Sequence, residues 1–254
     1  MFSGTPREYL LRNIETGKLI LKLLENTCND EKTSVRDLAS KARFSTQMTA
    51  DIINRLSMYG LLLSKNETII VNRVNRIQLA VEAVNNGIDW ERICRTLGFR
   101  EFEDITTEVL RANNFKVYTR FVFRHTGRRF EIDVVGQRGH IIICADCKHW
   151  SRGMSTGQLF QAVKKQVERT QMLVKDTQIC KNKFNVTNES EILFIPIIIT
   201  LGNPKNRMIK RVPIVPVLAL RSFLGEFDLH LKSLTIFKLI PKKSSELGLD
   251  CFEN

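Results

Sequence analysis

The chain has 254 residues, 43% of them apolar and 26% charged, with a formal net charge of +12. The length suits one large or two small domains, and the apolar fraction is ordinary for a globular protein, which excludes a disordered or fibrous chain. The positive excess favours a polyanionic partner, most often nucleic acid, over an acidic one.

The longest apolar run, Ile192 to Leu201, holds ten residues and contains Pro196. That is far short of the roughly 20 residues a membrane helix needs. The sequence opens Met1-Phe2-Ser3-Gly4-Thr5-Pro6-Arg7, without an apolar signal core, so a cytoplasmic protein with no membrane association is expected. Six cysteines (28, 94, 144, 147, 180 and 251) are scattered and expected to be reduced there. Cys144 and Cys147 form a C-x-x-C, but residues three apart on a strand face opposite sides. No second Cys or His pair completes a four-ligand site, so structural zinc is not expected.

Residues 1–75 read as a first domain. Ile14 to Leu24 is helical, with Leu19, Ile20, Leu23 and Leu24 at helical spacing. Thr33 or Ser34 caps a helix over Val35 to Ala42, and Ser45 caps one from Thr46 to Tyr59, stopped by Gly60. This third helix is expected to bury Met48, Ile52, Leu56 and Tyr59. Leu61 to Val71 reads as a hairpin turning at Lys65-Asn66-Glu67. Three helices and a hairpin resemble a winged helix-turn-helix, and the segment STQMTADIINRLSMYGLL carries the resemblance. It implies that Gln47, Ala50 and Asn54, on the solvent face of the third helix, enter a DNA groove. Asp51 on that face would repel phosphate, and winged helices also dimerise or dock proteins. Both roles stay open.

Residues 76–98 read as a helical connector with Ile77, Ala80, Val81 and Val84 on one face. Asp89 caps a short helix that ends at Gly98. From residue 99 to 254 an α/β (α+β) domain with a mixed sheet is expected. Its order is a helix (Arg100 to Asn113), three strands (115–123, 130–136, 140–147), a long helix (156–175), two strands (Glu191 to Thr200, Val212 to Val217), a short helix (Leu218 to Phe227) and an edge strand (Leu231 to Ile240).

The chemistry gathers at Asp146-Cys147-Lys148, the polar end of the apolar run Ile141-Ile142-Ile143-Cys144-Ala145. Alternation puts Asp146 and Lys148 on one face and the Cys147 side chain in the core. Residues two apart on a strand are poor partners for an ion pair, which leaves both charges to a site. Thirteen residues upstream, Glu131-Ile132-Asp133-Val134-Val135 is a second acid-bearing strand, separated by the turn sequence Gly136-Gln137-Arg138-Gly139-His140. Asp133 and Asp146 therefore belong on adjacent antiparallel strands. On the preceding helix, Glu103 falls beside the Phe102, Ile105, Val109 and Leu110 stripe. Glu101, Asp104 and Glu108 fall on a solvated face. Two acids and a lysine at a sheet's end suit a magnesium-dependent phosphodiesterase.

The order helix-Glu, strand-Asp, strand-Asp-x-Lys resembles the PD-(D/E)xK nuclease superfamily, most closely Mrr-type restriction endonucleases and archaeal Holliday-junction resolvases. The segments that carry it are FEDITTEVLRANNFKV (102–117), RRFEIDVVG (128–136) and IIICADCKHW (141–150). Asn114 stands where a glycine is usual, and isoleucine precedes Asp133 where proline is usual. The resemblance covers roughly 99–228 and implies a restriction-endonuclease-like core with Glu103, Asp133, Asp146 and Lys148 as the catalytic set. It implies that Asp133, Asp146, Glu103 and the Cys147 carbonyl hold Mg²⁺, with Mn²⁺ able to substitute and no small-molecule cofactor. Cleavage then leaves a 5′-phosphate and a 3′-hydroxyl.

Cations expected to line a backbone-tracking groove are Arg128 and Arg129 on the first hairpin and Lys164, Lys165 and Arg169 on the long helix. Arg120, Arg124 and His125, and Lys205, Arg207, Lys210 and Arg211 before Val212, extend the basic surface. Gln166 is a candidate for the polar helix residue that supports the lysine. Trp150 offers a stacking or a packing aromatic. The expected function is a restriction- or repair-type DNA endonuclease, acting as a homodimer on duplex or branched DNA. The alternatives are a junction resolvase, or a catalytically inert DNA-binding regulator or docking protein.

Overall fold

The structure is a computed structural model and describes residues 13–28, 31–149, 155–184 and 191–240. Trp150 and Cys251 lie outside the described residues. The chain divides into two compact units, Met1–Ile105 and Thr106–Asn254. It has the expected α/β fold with a helical N-terminal region. The expected connector, 76–98, is part of the first unit rather than a separate body.

The first unit runs α1 (Ile14–Asn26), β1 (Lys32–Ser34), α2 (Val35–Ala42), α3 (Thr46–Met58), β2 (Leu63–Lys65), β3 (Thr68–Ile70), α4 (Arg73–Asn85) and α5 (Trp90–Cys94). Asn13, Ser34, Ser45, Asn72 and Asp89 each accept a backbone N–H of the following helix's first turn, which sets where these helices begin. The strands form a sheet in the order β1-β3-β2. The β2–β3 hairpin turns on Asn66 and Glu67, both at positive φ (49° and 62°), the backbone that lets a two-residue turn match strand twist.

Three expectations for this unit change. The third helix buries Thr49, Ile52, Ile53 and Leu56, while Met48 and Tyr59 are only partly buried. Ala50 packs partly buried against the core, so it does not face a groove; Gln47 and Asn54 are exposed. Gln47 donates to Asp51 at 3.0 Å. On α4 the buried face is Arg76, Leu79, Ala80 and Ala83, and Val81 is exposed.

Arg76 explains the α4 shift. Its Nε donates to Glu101 Oε1 at 2.5 Å, Nη1 to the Leu24 carbonyl and Thr27 hydroxyl, and Nη2 to the Thr96 carbonyl. Glu101 also accepts the Gly98 N–H. Both charged residues are about 5% exposed, so Glu101 is not on a solvated face as expected. A buried charge is tolerated when it is paired and its remaining donors are used, as here.

Helix α6 (Phe99–Ala112) spans the division. The second unit continues with β4 (Lys116–His125), β5 (Arg128–Arg138), β6 (Ile141–Lys148), α7 (Thr156–Lys175), α8 (Thr177–Lys183), β7 (Ile192–Thr200), β8 (Met208–Ile209), β9 (Val212–Pro216), α9 (Leu220–Gly225), α10 (Phe227–His230) and β10 (Phe237–Leu239). The sheet order is β4-β5-β6-β7-β9-β8, with β10 also on β7. Pairs β6–β7 and β7–β9 are parallel and the others antiparallel. Central strands β6 and β7 are apolar along nearly their whole length because both faces are covered. Helix α7 crosses between them, with Leu159 and Val163 packing on Ile198, Val212 and Ile214, and Leu173 on the cluster of Ile142, Cys144 and Phe194. A capping box at Ser155 and Gln158 sets its start.

Two glycines were read alike but act differently. Gly139, with φ 58°, makes the tight β5–β6 turn with His140. Gly136 is inside β5 rather than in the turn. A Cβ there would come within 3.2 Å of the Phe115 ring, so its role is close approach. Asn114 takes φ 64°, the left-handed backbone that glycine favours and asparagine tolerates.

Candidate active site

The β5–β6 pairing runs to Val134 opposite Ala145, and the next residues, Asp133 in mid-β5 and Asp146 near the end of β6, lie side by side where the two strands part. The Cys147 N–H donates to Asp133 Oδ2 at 2.7 Å. The Cys147 side chain is buried, 3.8 Å from the Thr106 hydroxyl, as strand alternation requires.

Asp146 is 1% exposed and carries two cations. Lys148 Nζ lies 2.7 Å from Oδ2, and Arg169 Nη1 donates to Oδ1 at 2.7 Å. The Asp146–Lys148 pair corrects the expectation that residues two apart on a strand do not pair. Both project to one face, and the long lysine stem folds back to reach the acid. Oδ2 has the ammonium beside it but accepts no hydrogen bond, which leaves a buried anionic oxygen with acceptor capacity.

Burial, and then the charge of Asp146, push the Asp133 carboxyl up to about 6; the Cys147 N–H, Lys148 and Arg169 oppose this. Holding Asp133 ionised therefore costs stability above that pH. The cost is complete above pH 6 and disappears as pH falls below the unfolded value near 3.8. Asp133→Asn keeps the acceptor for Cys147. In EDTA it is expected to raise stability by up to about 3 kcal/mol at pH 8 and by nothing near pH 3.5. Thermal melts across this range check it. A variant less stable than wild type at pH 8 would contradict the cause assigned here.

Strand β4 adds a feature the sequence reading missed. Thr119 pairs with Val134 and Phe121 with Ile132, so Arg120 stands opposite Asp133 in register. Its φ is 48°, an unusual backbone for an arginine inside a strand. No local sequence signal marks it.

The predicted cations divide. Lys164 and Lys165 are exposed on α7. Arg128 pairs with Glu168 at 2.6 Å and stacks over Phe130, and Arg129 pairs with Glu131 at 3.3 Å. Arg128, Arg129, Phe130, Lys165, Glu168 and Arg169 line a concavity of about 420 Å³. A second, of about 460 Å³, is lined by Asp146, Lys148, Gln158, Gln161, Lys165 and Arg169. Lys165 and Arg169 line both, so the two depressions meet along α7. Arg169 lines both depressions and is also bound to Asp146, a tie the sequence reading does not contain. Gln166 is fully buried and donates to the Cys144 carbonyl at 2.7 Å, so it fastens α7 to β6 and does not reach nucleic acid. Arg211 is used within the fold, donating to the Lys232 and Ser233 carbonyls.

Glu103 belongs to the first unit. It is buried, and it lies on α6 one turn before Thr106. Among the described residues, no three His, Cys, Asp or Glu side chains gather as a metal cluster. Mg²⁺ is commonly held by one or two carboxylates, with water and phosphate oxygens completing its shell. Asp133 and Asp146 fit that donor set, and Asp146 Oδ2, buried and receiving no hydrogen bond, is the observation that supports the fit.

No family model matches the chain. An uncharacterized protein of Archaeoglobus fulgidus is 28% identical over 134 residues, which cover 52% of this chain and 94% of that protein. Among solved structures, protein VC1899 from Vibrio cholerae gives a TM-score of 0.38 at 12% identity, over 91% of this chain and 58% of that one. A protein of unknown function, AF1548, gives 0.32 at 15% identity, over 52% of this chain and 65% of that one. The chain thus spans less than two thirds of either solved neighbour. No described helix is long and apolar enough to cross a membrane.

Proposed function

We propose that the protein is a metal-dependent DNA endonuclease of the restriction or repair type. The observation that carries this reading is Asp146, near the end of β6, with Asp133 of β5 beside it, Lys148 on its carboxylate, and a depression lined by Asp146, Lys148, Lys165 and Arg169 next to it. Asp133 and Asp146, with the Cys147 carbonyl, would hold Mg²⁺, which when bound supplies Lewis-acid charge to the scissile phosphate. Lys148 orients the attacking water and offsets negative charge as the phosphorane forms. Lys164, Lys165, Arg128 and Arg129 hold the sugar-phosphate backbone without reading sequence. The net charge of +12 favours a nucleic-acid substrate.

The test is incubation of the protein with supercoiled plasmid, linear duplex, single strands and a four-way junction, each in Mg²⁺, Mn²⁺ or EDTA. Duplex cleavage in either metal and none in EDTA is expected, with 5′-phosphate ends. Cleavage confined to the junction selects a resolvase. DNA binding with no cleavage in any metal selects the inert regulator and overturns the proposal.

A further inference from the structure

Arg169 sits where two needs conflict. Its guanidinium occupies Asp146 Oδ1, while Lys148 sits against Oδ2. Each oxygen of the buried carboxylate therefore has a cation of the chain beside it. Lys148 and Arg169 together offset the charge of Asp146. A divalent cation brought to Asp146 meets the repulsion of both groups. Lys148 is next to Asp146 on the same strand and cannot go far. Arg169 is different: it comes from α7, its side chain is 28% exposed, and it lines the basic depression as well as the Asp146 depression. Its guanidinium has five donors, of which Asp146 takes one in the structure.

We propose that Arg169 is a phosphate ligand kept on Asp146 until a divalent cation displaces it. This inference rests on the metal-dependent nuclease reading and assigns Arg169 a part in coupling cation to DNA. In the substrate-free state Arg169 neutralises Asp146, which would otherwise be a buried charge with a single cation beside it. When a divalent cation takes over that role, the guanidinium turns toward the adjoining depression. There its planar fork suits a phosphodiester oxygen pair better than an ammonium would. Cation and DNA then bind cooperatively, because each favours the state in which Arg169 has left Asp146. The bound cation and the released guanidinium then both add to the positive field that DNA meets at the depressions.

Two binding measurements at pH 8, above the Asp133 value of about 6, test this on wild type, Arg169→Gln and Arg169→Lys. Mn²⁺ is titrated without DNA by calorimetry. A short labelled duplex is titrated by anisotropy in Ca²⁺ and in EDTA, with its integrity checked on gels. Arg169→Gln is expected to bind Mn²⁺ more tightly than wild type, because a competing cation is gone. Wild type should bind duplex roughly 5- to 150-fold more tightly in Ca²⁺ than in EDTA, the usual span for coupled sites. Arg169→Gln should lose most of that factor, and Arg169→Lys should keep part of it. A structural role alone would weaken both ligands together and would not tighten Mn²⁺. If Arg169→Gln binds Mn²⁺ no more tightly than wild type, or keeps the full cation effect on DNA, the proposal is overturned while the nuclease reading stands. If wild type binds no Mn²⁺, both fall together.

Discussion

Lys148→Met is expected to slow metal-dependent duplex cleavage about 10²- to 10³-fold, the usual loss when one preorganised positive donor to a transition state is removed. The substitution keeps most of the side chain's volume and removes the charge. Asp146 retains Arg169, so the fold should survive. Mn²⁺ affinity should hold or rise, since a cation beside the carboxylate proposed to hold the metal has gone. The tightening of DNA binding by a divalent cation should also persist, which separates Lys148 from Arg169. Single-turnover cleavage beside a Mn²⁺ titration reads all three. A variant that cuts at the wild-type rate would remove Lys148 from the chemistry and leave it as an ion-pair partner of Asp146.

Arg76→Met is expected to cost the first unit about 3–5 kcal/mol, the range for breaking a buried ion pair from one side. The loss leaves Glu101 buried without its cation and removes donors from the Leu24 and Thr96 carbonyls and the Thr27 hydroxyl. Set against a typical stability of roughly 5–15 kcal/mol for a whole domain, that is enough to populate unfolded forms. Adding Glu101→Gln should recover part of the loss, because the stranded charge goes while the carbonyls stay unsatisfied. Urea unfolding followed by hydrogen exchange checks this. Protection should collapse in α1, α4 and α5 and remain in β6 and β7. A change below about 1 kcal/mol would mean that the cluster is solvated in solution.

The strands and helices with strong local signals were legible. The ranges of α2 and α7 match the sequence reading because Ser34 and Ser155 cap them and their apolar stripes are regular. That Asp133 and Asp146 lie on adjacent antiparallel strands is legible too, but their register is not, because the turn is Gly139-His140 and Gly136 to Arg138 belong to β5. Strand β1 was not, because Lys32-Thr33-Ser34 contains no apolar residue and exists only by pairing with β3. Pattern reading treats arginine and glutamate as surface residues, so it puts Glu101 in solvent and misses Arg76 in the buried face of α4. It places Arg169 along the groove but not on Asp146. The Asp146–Arg169 contact joins a strand to a helix 23 residues on, and no local spacing encodes it.

Strand β6 carries the whole functional reading through one carboxylate, so Mn²⁺ binding to wild type and Asp146→Asn, titrated without DNA, is the measurement to make. Asparagine keeps the shape and an acceptor but removes the anionic charge that a hard cation requires. The expected result is saturable binding by wild type that weakens by at least roughly tenfold in the variant, with cleavage lost in parallel. Equal Mn²⁺ affinity in the two proteins would contradict a metal centre at Asp133 and Asp146.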